Sequence, residues 1–398
     1  MRNAIIGLVV GLVVGIVVGT TVVAPRIESS LPGSEPEQDA KPQDQAATSE
    51  STSPLPVPPA PKPSAASPQP STPKPAEPAA RWRMASAFAA TLPQLGTLAK
   101  RVETETWRVS GGEMEIAFNP PGALVPLAEA FDAVKSGAIE AAFASPARWR
   151  NRSPALELFA AVPFGPSARE YLAWFYFGGG RELFDGVNEK LGVHGLICGM
   201  VAPSAAGWFK KRIRTPDDLK GVRMGIVGLG AAVMKRLGVE TTALEPGDIF
   251  VAFEAGGLDA AAYSMPAIDE RLGLQQMAKH YYFPGWHRPA TLYQLLINRD
   301  AWQALSGTQR AQLESVCGDN VRHGLAEGEA LQFQALKRIA AKGIQVRRWP
   351  RPVLEALRES WRAVATERAA RNPTFKKVWN ALVAFRTDYA VWRDLDDR

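Results

Sequence analysis

The side chains able to do chemistry in this chain are few and scattered. Its four histidines are His194, His280, His287 and His323. None belongs to a His-Glu-x-x-His run or another metal-binding spacing. The sequence holds neither a Gly-x-Ser-x-Gly nucleophile elbow nor a Walker loop. Gly178-Gly179-Gly180 follows an aromatic, helix-like run, so it reads as a helix stop rather than a phosphate cradle. Asp269 and Glu270 are adjacent, and neighbouring side chains diverge instead of sharing a proton. The two cysteines, Cys198 and Cys317, lack a Cys-x-x-Cys partner, which excludes a metal cluster and a thioredoxin-like site. Cys198 falls in a buried-strand pattern and Cys317 in a helical one. An oxidising compartment would allow them to pair, but two separate buried thiols is the favoured reading. Nothing here calls for an enzyme, a cofactor or a resident metal.

Charge narrows the partners. The net charge is +6 and the pI about 9.3. That balance raises nucleic acid or an anionic membrane. The basic residues, such as Lys210-Lys211-Arg212 and Lys337-Arg338, are interleaved with acids along helical patterns. No nucleic-acid motif accompanies them, so a solvated basic surface is expected.

The elements that must position any site fall into three stretches. Residues 4–24 are almost wholly apolar, residues 25–80 are rich in Pro, Ala and Ser, and residues 81–398 mix residue types as a folded domain does. Ala4–Ala24 follows Met1-Arg2-Asn3. Its length of about 21 residues, at ~1.5 Å each, spans a bilayer core. Arg2 should stay cytoplasmic, which sends the rest outward. An uncleaved transmembrane anchor is expected; the alternative is a cleaved signal peptide ending at Val22-Val23-Ala24 and a soluble periplasmic protein. Gly7, Gly11, Gly15 and Gly19 recur every four residues, a stripe suited to helix packing and a homodimer. Residues 25–80 read as a disordered linker.

Within 81–398, helix and strand patterns alternate from Trp82–Phe88 onward, which argues α/β with largely parallel sheets. One internal similarity stands out. Phe131-x-Ala-Val-x-x-Gly-x-Ile-Glu-Ala-Ala142 matches Phe250-x-Ala-Phe-x-x-Gly-x-Leu-Asp-Ala-Ala261 in spacing throughout. Each copy reads as helix, glycine stop and short buried strand. Two copies so far apart predict two lobes: one about 81–204, the other about 205–297, each completed by later helices. A ligand then sits where strand ends of both lobes meet, at Phe143–Arg150 and Ala262–Asp269. Beyond Asn298 the pattern is helical, over Asp300–Leu305, Thr308–Lys342 and Arg351–Val383. Ser306-x-x-Gln309 is a capping-box start.

Six segments carry a resemblance. They are Ala161-Val-Pro-Phe-Gly165, Ala173-Trp-Phe-Tyr-Phe-Gly-Gly-Gly180, Gly207-Trp-Phe209, Asp217-Asp-Leu-Lys-Gly-Val-Arg-Met224 with Gly228-Leu-Gly230, Gly257-Leu-Asp-Ala-Ala261 and Tyr281-Tyr-Phe-Pro-Gly-Trp-His287. In this order they resemble the periplasmic solute-binding proteins of tripartite ATP-independent periplasmic (TRAP) transporters, in the branch that binds keto acids and related carboxylates. The resemblance implies a two-lobed α/β periplasmic-binding fold with a long helix spanning both lobes. It also implies capture of a small, anionic organic solute by lobe closure and delivery to TRAP permease membrane subunits. The rival expectation is a non-transport ligand sensor or assembly factor that kept this fold.

Departures from the pattern define the candidate ligand-binding residues. The family's carboxylate-clamping arginine aligns with Gly225, and Arg223, on the same strand face, is a poor substitute. The Glu-Trp expected after Asp-Ala-Ala is Ala262-Tyr263, and a family glutamine aligns with Ser204. Loss of these oxygens predicts no bound sodium or calcium. New cations stand nearby: Arg148-Trp149-Arg150, and Arg288 after Trp286-His287. A relocated clamp at Arg148, Arg150 or Arg288 is one reading and outward-facing loop arginines the other. Trp149, Tyr263 and Trp286 are candidate wall residues.

Overall fold

The structure, a computed structural model, describes residues 79–201 and 203–396. The expected anchor, its glycine register and the linker up to residue 78 lie outside these residues. Among the described residues, no helix is long and apolar enough to cross a membrane.

The first strand, β1 (Ala80–Ser86), opens with alternation: Trp82 and Met84 are buried while Arg81 and Arg83 face out. Helix α1 (Gly96–Val109) buries Leu98, Val102 and Thr106 at four-residue spacing. It is followed by β2 (Met114–Asn119), α2 (Ala130–Ser136) and β3 (Ala141–Ala144). Two tight turns, Pro146–Trp149 and Pro154–Phe159, lead into α3 (Ala168–Phe177), α4 (Gly180–Leu191) and β4 (Val193–Val201). The chain then builds a second sheet with β5 (Gly207–Phe209), β6 (Arg223–Gly225), α5 (Gly228–Arg236), β7 (Glu240–Thr242), α6 (Pro246–Glu254), β8 (Ala260–Ala261), α7 (Pro266–Arg271) and β9 (His280–Phe283). Strand β10 (Thr291–Asn298) returns to the first sheet. Helices α8 (Arg299–Ala304) and α9 (Gly307–Ala341), strand β11 (Gln345–Arg348), and helices α10 (Arg351–Arg371) and α11 (Pro373–Asp396) complete the described chain.

Two sheets make two lobes. The first runs in the order β2-β1-β3-β10-β4 and the second β11-β9-β5-β8-β6-β7. The matched sequence copies occupy equivalent places, as α2 with β3 and as α6 with β8. Gly137 and Gly256 end their helices at φ 78° and 73°. The sheets are mixed, not largely parallel. Strand β10 is antiparallel to both β3 and β4, and β5 to both β8 and β9. The reason is topological: each of these strands enters its sheet from the other lobe, at the end where the parallel strands finish.

Helix α9 ties the lobes together. Its 35 residues reach roughly 52 Å at ~1.5 Å per residue. Ser306 and Gln309 form the capping box that starts it. In the first lobe, Asn320 Nδ2 donates to the carbonyls of Leu98 (3.1 Å) and Cys198 (2.7 Å). Gly324 permits close approach, because an added Cβ would lie 2.6 Å from the Met200 carbonyl oxygen. Further along, Arg338 bonds Glu270, and Ile339 joins the second-lobe core with Trp208 and Tyr281.

Two expectations are corrected. Cys198 and Cys317 form a disulfide between β4 and α9. Helix α9 lies along β4, so the sulfurs meet although 119 residues separate them. Closing such a loop stabilises the fold by about 4–5 kcal/mol in the chain-entropy picture. The helix expected over Arg351–Val383 is broken at Asn372, which is extended (φ −138°, ψ 110°). Pro373 forces that conformation on its predecessor, and Asn372 Oδ1 accepts from Phe375 N at 2.7 Å to start α11.

Candidate functional site

Strand ends from both sheets and the two crossover segments enclose a cavity of about 180 Å³. Its wall comes from the turn after β3, the segment after β8, the N-terminal end of α5, His287 and Arg288 on the return crossover, and Thr291 and Tyr293 at the start of β10. The crossovers are pinned to each other. Ser204 N donates to the Arg288 carbonyl at 3.1 Å. Gly285 is obligatory at this contact, since an added Cβ would sit 1.9 Å from the Ser204 carbonyl oxygen.

Four of the expected residues line the cavity: Arg148, Arg150, Tyr263 and Arg288. They differ in what holds them. Arg148 Nη2 reaches both carboxylate oxygens of Glu245 at 2.8 Å, joining the turn after β3 to the start of α6 in the other lobe. Among the described residues, the hydrogen bond Arg150 makes is a long one, to the Ala147 carbonyl at 3.5 Å. Arg288 is half-buried and donates through Nη1 to the Tyr263 carbonyl at 2.6 Å. Among the described residues, no carboxylate pairs with it. Burial pushes the Tyr263 phenol up and the Tyr293 phenol to about 12, with the Arg288 charge opposing in both cases.

The other four stand outside the wall. Trp149 is buried against Phe131, with ring centroids 5.9 Å apart. Trp286 stacks on Phe164 at 5.6 Å. Ser204 contributes the backbone bond just described. Gly225 points at the core: an added Cβ would meet Leu258 at 3.3 Å and Leu244 at 3.9 Å. Arg223 is exposed and held by Asp259 through Nε and Nη2, at 2.9 and 2.8 Å.

Sequence reasoning missed three polar groups that line the same cavity. His287 is buried, with neither ring nitrogen hydrogen-bonded among the described residues. Burial, and then the Arg288 charge, push its pKa well below the usual value, so the imidazole is neutral. Thr291 Oγ1 is likewise buried, with no hydrogen-bond partner among the described residues. Glu157 is 1% exposed, and neither carboxylate oxygen is hydrogen-bonded among the described residues. Arg368 Nη1 lies 3.7 Å from Oε2. Burial pushes the Glu157 carboxyl up, against the Arg368 and Arg150 charges. The only signal in the sequence is a lone acid inside the apolar run Ala155–Phe159.

Behind the wall, Asp269 is fully buried. It accepts from Trp208 Nε1, Tyr281 OH and Ser264 N, each at 2.9 Å. Burial still raises it, to about 6. Its bond to Ser264 fixes the segment after β8 that carries Tyr263.

The family model for bacterial extracellular solute-binding protein family 7 matches residues 84–372. A monocarboxylate 2-oxoacid-binding periplasmic protein of Nostoc sp. is 33% identical over 323 residues, covering 80% of this chain and 88% of that one. Among solved structures, a TRAP transporter solute-binding protein from Bordetella bronchiseptica, with calcium and picolinate, is 32% identical. Its TM-score is 0.78, over 81% of this chain and 96% of that one. A Colwellia psychrerythraea protein with calcium and pyruvate is 29% identical, with a TM-score of 0.76 over 80% of this chain and 97% of that one.

The positions where the sequence lost side-chain oxygens do not supply ligands for such a cation. Ala262 offers no side-chain oxygen, and the Ser204 side chain stands outside the cavity wall. The Tyr263 carbonyl already accepts from a guanidinium, whose fixed positive charge repels a metal ion beside it. With its two lobes, bridging helix and interlobe cavity, the chain belongs to bacterial extracellular solute-binding protein family 7: it is a periplasmic TRAP-type receptor that captures a small organic solute and delivers it to a membrane permease.

Proposed function

We propose that the solute is a small carboxylate and that Arg288 is its clamp, in place of the family arginine lost at Gly225. The observation that carries this reading is a half-buried guanidinium in the interlobe cavity with no carboxylate partner among the described residues. Its planar fork suits a carboxylate. Arg150 adds positive charge, Tyr263 and Tyr293 supply contact area, and no metal ion takes part. Arg148 is already engaged by Glu245, so its role is to latch the lobes over the solute. The same reading holds that the chain performs no covalent chemistry. It assigns 1–24 to an uncleaved membrane anchor, 25–80 to a tether and 81–398 to the receptor. The Gly7, Gly11, Gly15 and Gly19 stripe then packs against a second copy.

The test is a thermal-shift series on the purified full-length chain with small carboxylates, sugars and amines. A carboxylate at about 100 times its Kd should stabilise the wild type by roughly 2.7 kcal/mol, and Arg288→Ala should abolish the shift. Undiminished carboxylate binding by Arg288→Ala removes the clamp from this residue. Stabilisation by no solute at all favours the sensor or assembly-factor reading.

A further inference from the structure

Resting on the carboxylate reading above, we infer that the solute also carries a cationic nitrogen, an amino acid or a close amphoteric relative, with Glu157 receiving the nitrogen and Arg288 the carboxylate. Glu157 sits in the wall of the interlobe cavity. It belongs to the Pro154–Phe159 turn of the first lobe, between Leu156 and Leu158, both fully buried. It faces the start of α5 in the second lobe, where a Cβ on Gly228 would lie 3.8 Å from Oε1. The positive end of that helix favours the ionised carboxylate.

Buried carboxylates are kept where something donates to them. Glu157 receives no hydrogen bond among the described residues. Arg368, at 3.7 Å, balances charge without making one. An apolar side chain would suit the surrounding leucines better. The carboxylate is explained by a donor that arrives with the solute.

The rest of the cavity agrees. The wall holds two carboxylates, and Glu245 is already paired with Arg148, so a simple organic acid would leave the Glu157 oxygens bare. An ammonium presents three donors to those two oxygens. The neutral His287 ring and the Thr291 hydroxyl remain to bond other polar atoms of the solute. The cavity of about 180 Å³ has room for a small solute.

Isothermal titration of the full-length chain with matched trios tests this. Each trio shares one carbon skeleton: L-alanine, pyruvate and propionate, then L-leucine, 4-methyl-2-oxopentanoate and 4-methylpentanoate. In at least one trio the wild type should bind the amino acid at least about tenfold tighter than its nitrogen-free partners, a step of about 1.4 kcal/mol. Glu157→Gln should erase that ratio by weakening the amino acid alone. Glu157→Leu serves as a second variant should Glu157→Gln fail to fold, and the wild-type comparison needs neither. Wild-type binding of the nitrogen-free acids as tightly as the amino acids overturns the inference. So does an equal loss for all three compounds in the variants. If Arg288→Ala abolishes binding of every acid while no amino-acid preference exists, the clamp stands and only the nitrogen site falls. If no trio member binds the wild type, both fall.

Discussion

Two buried carboxylates in this protein have opposite surroundings. Asp269 lies behind the second-lobe sheet with three donors at 2.9 Å. Glu157 lies in the cavity wall with none among the described residues. Both are pushed up by burial. The difference teaches how to sort structure from function at such sites. A satisfied buried acid organises its neighbours, here Trp208, Tyr281 and the Ser264 backbone. An unsatisfied one is a standing cost to the fold, and it persists where a ligand meets it.

The contrast breaks most visibly at Asp269. Asp269→Ala orphans three buried donors and should destabilise the fold by about 3–5 kcal/mol. A fall in Tm of roughly 10 °C is the expected reading. A variant that melts with the wild type would show that the network is decorative.

The same residue should leave a mark on the pH dependence. Its carboxyl sits near 6 in the fold against an unperturbed 3.8. The folded state therefore binds the proton more tightly. Stability from this group is full below about pH 4 and is lost as pH rises through about 6, by an order of 3 kcal/mol. Denaturant titrations between pH 4 and 7 should show that slope in the wild type, and Asp269→Asn should flatten it.

At the Glu157 end the stability effect is the smallest and has the opposite sign. Glu157→Leu removes a charge no donor satisfies, and Arg368, 39% exposed, remains solvated. The Tm of the solute-free chain should stay level or rise by a few degrees, worth about 1 kcal/mol. A loss as large as that of Asp269→Ala would make Glu157 structural and erase the comparison.

Local signals were legible in the sequence and long-range ones were not. Ser306-x-x-Gln309 announced α9, and the paired Phe131 and Phe250 segments announced two lobes, because capping and helix-stop chemistry act within a few residues. Asn372-Pro373 also carried a local break signal, which the surrounding helical pattern masked. The disulfide, the antiparallel course of β10 and the Arg148–Glu245 pair depend on segments that meet only in the folded chain. At the site, Arg148, Arg150, Tyr263 and Arg288 fall on one cavity because the segments after β3, β8 and β9 end there. Trp149 and Trp286 belong to the same segments but turn inward to pack, and no composition rule separates an inward from a cavity-facing residue in so tight a turn. Glu157 was hidden by its apolar neighbours.

The most direct test of the central claim is a crystal structure of the full-length chain with the tightest-binding solute from the titrations. Its carboxylate should lie on the Arg288 guanidinium at about 2.7–3.2 Å, with no metal ion between solute and protein. A carboxylate held elsewhere, or bridged to the Tyr263 carbonyl by a cation with Arg288 swung away, would contradict it.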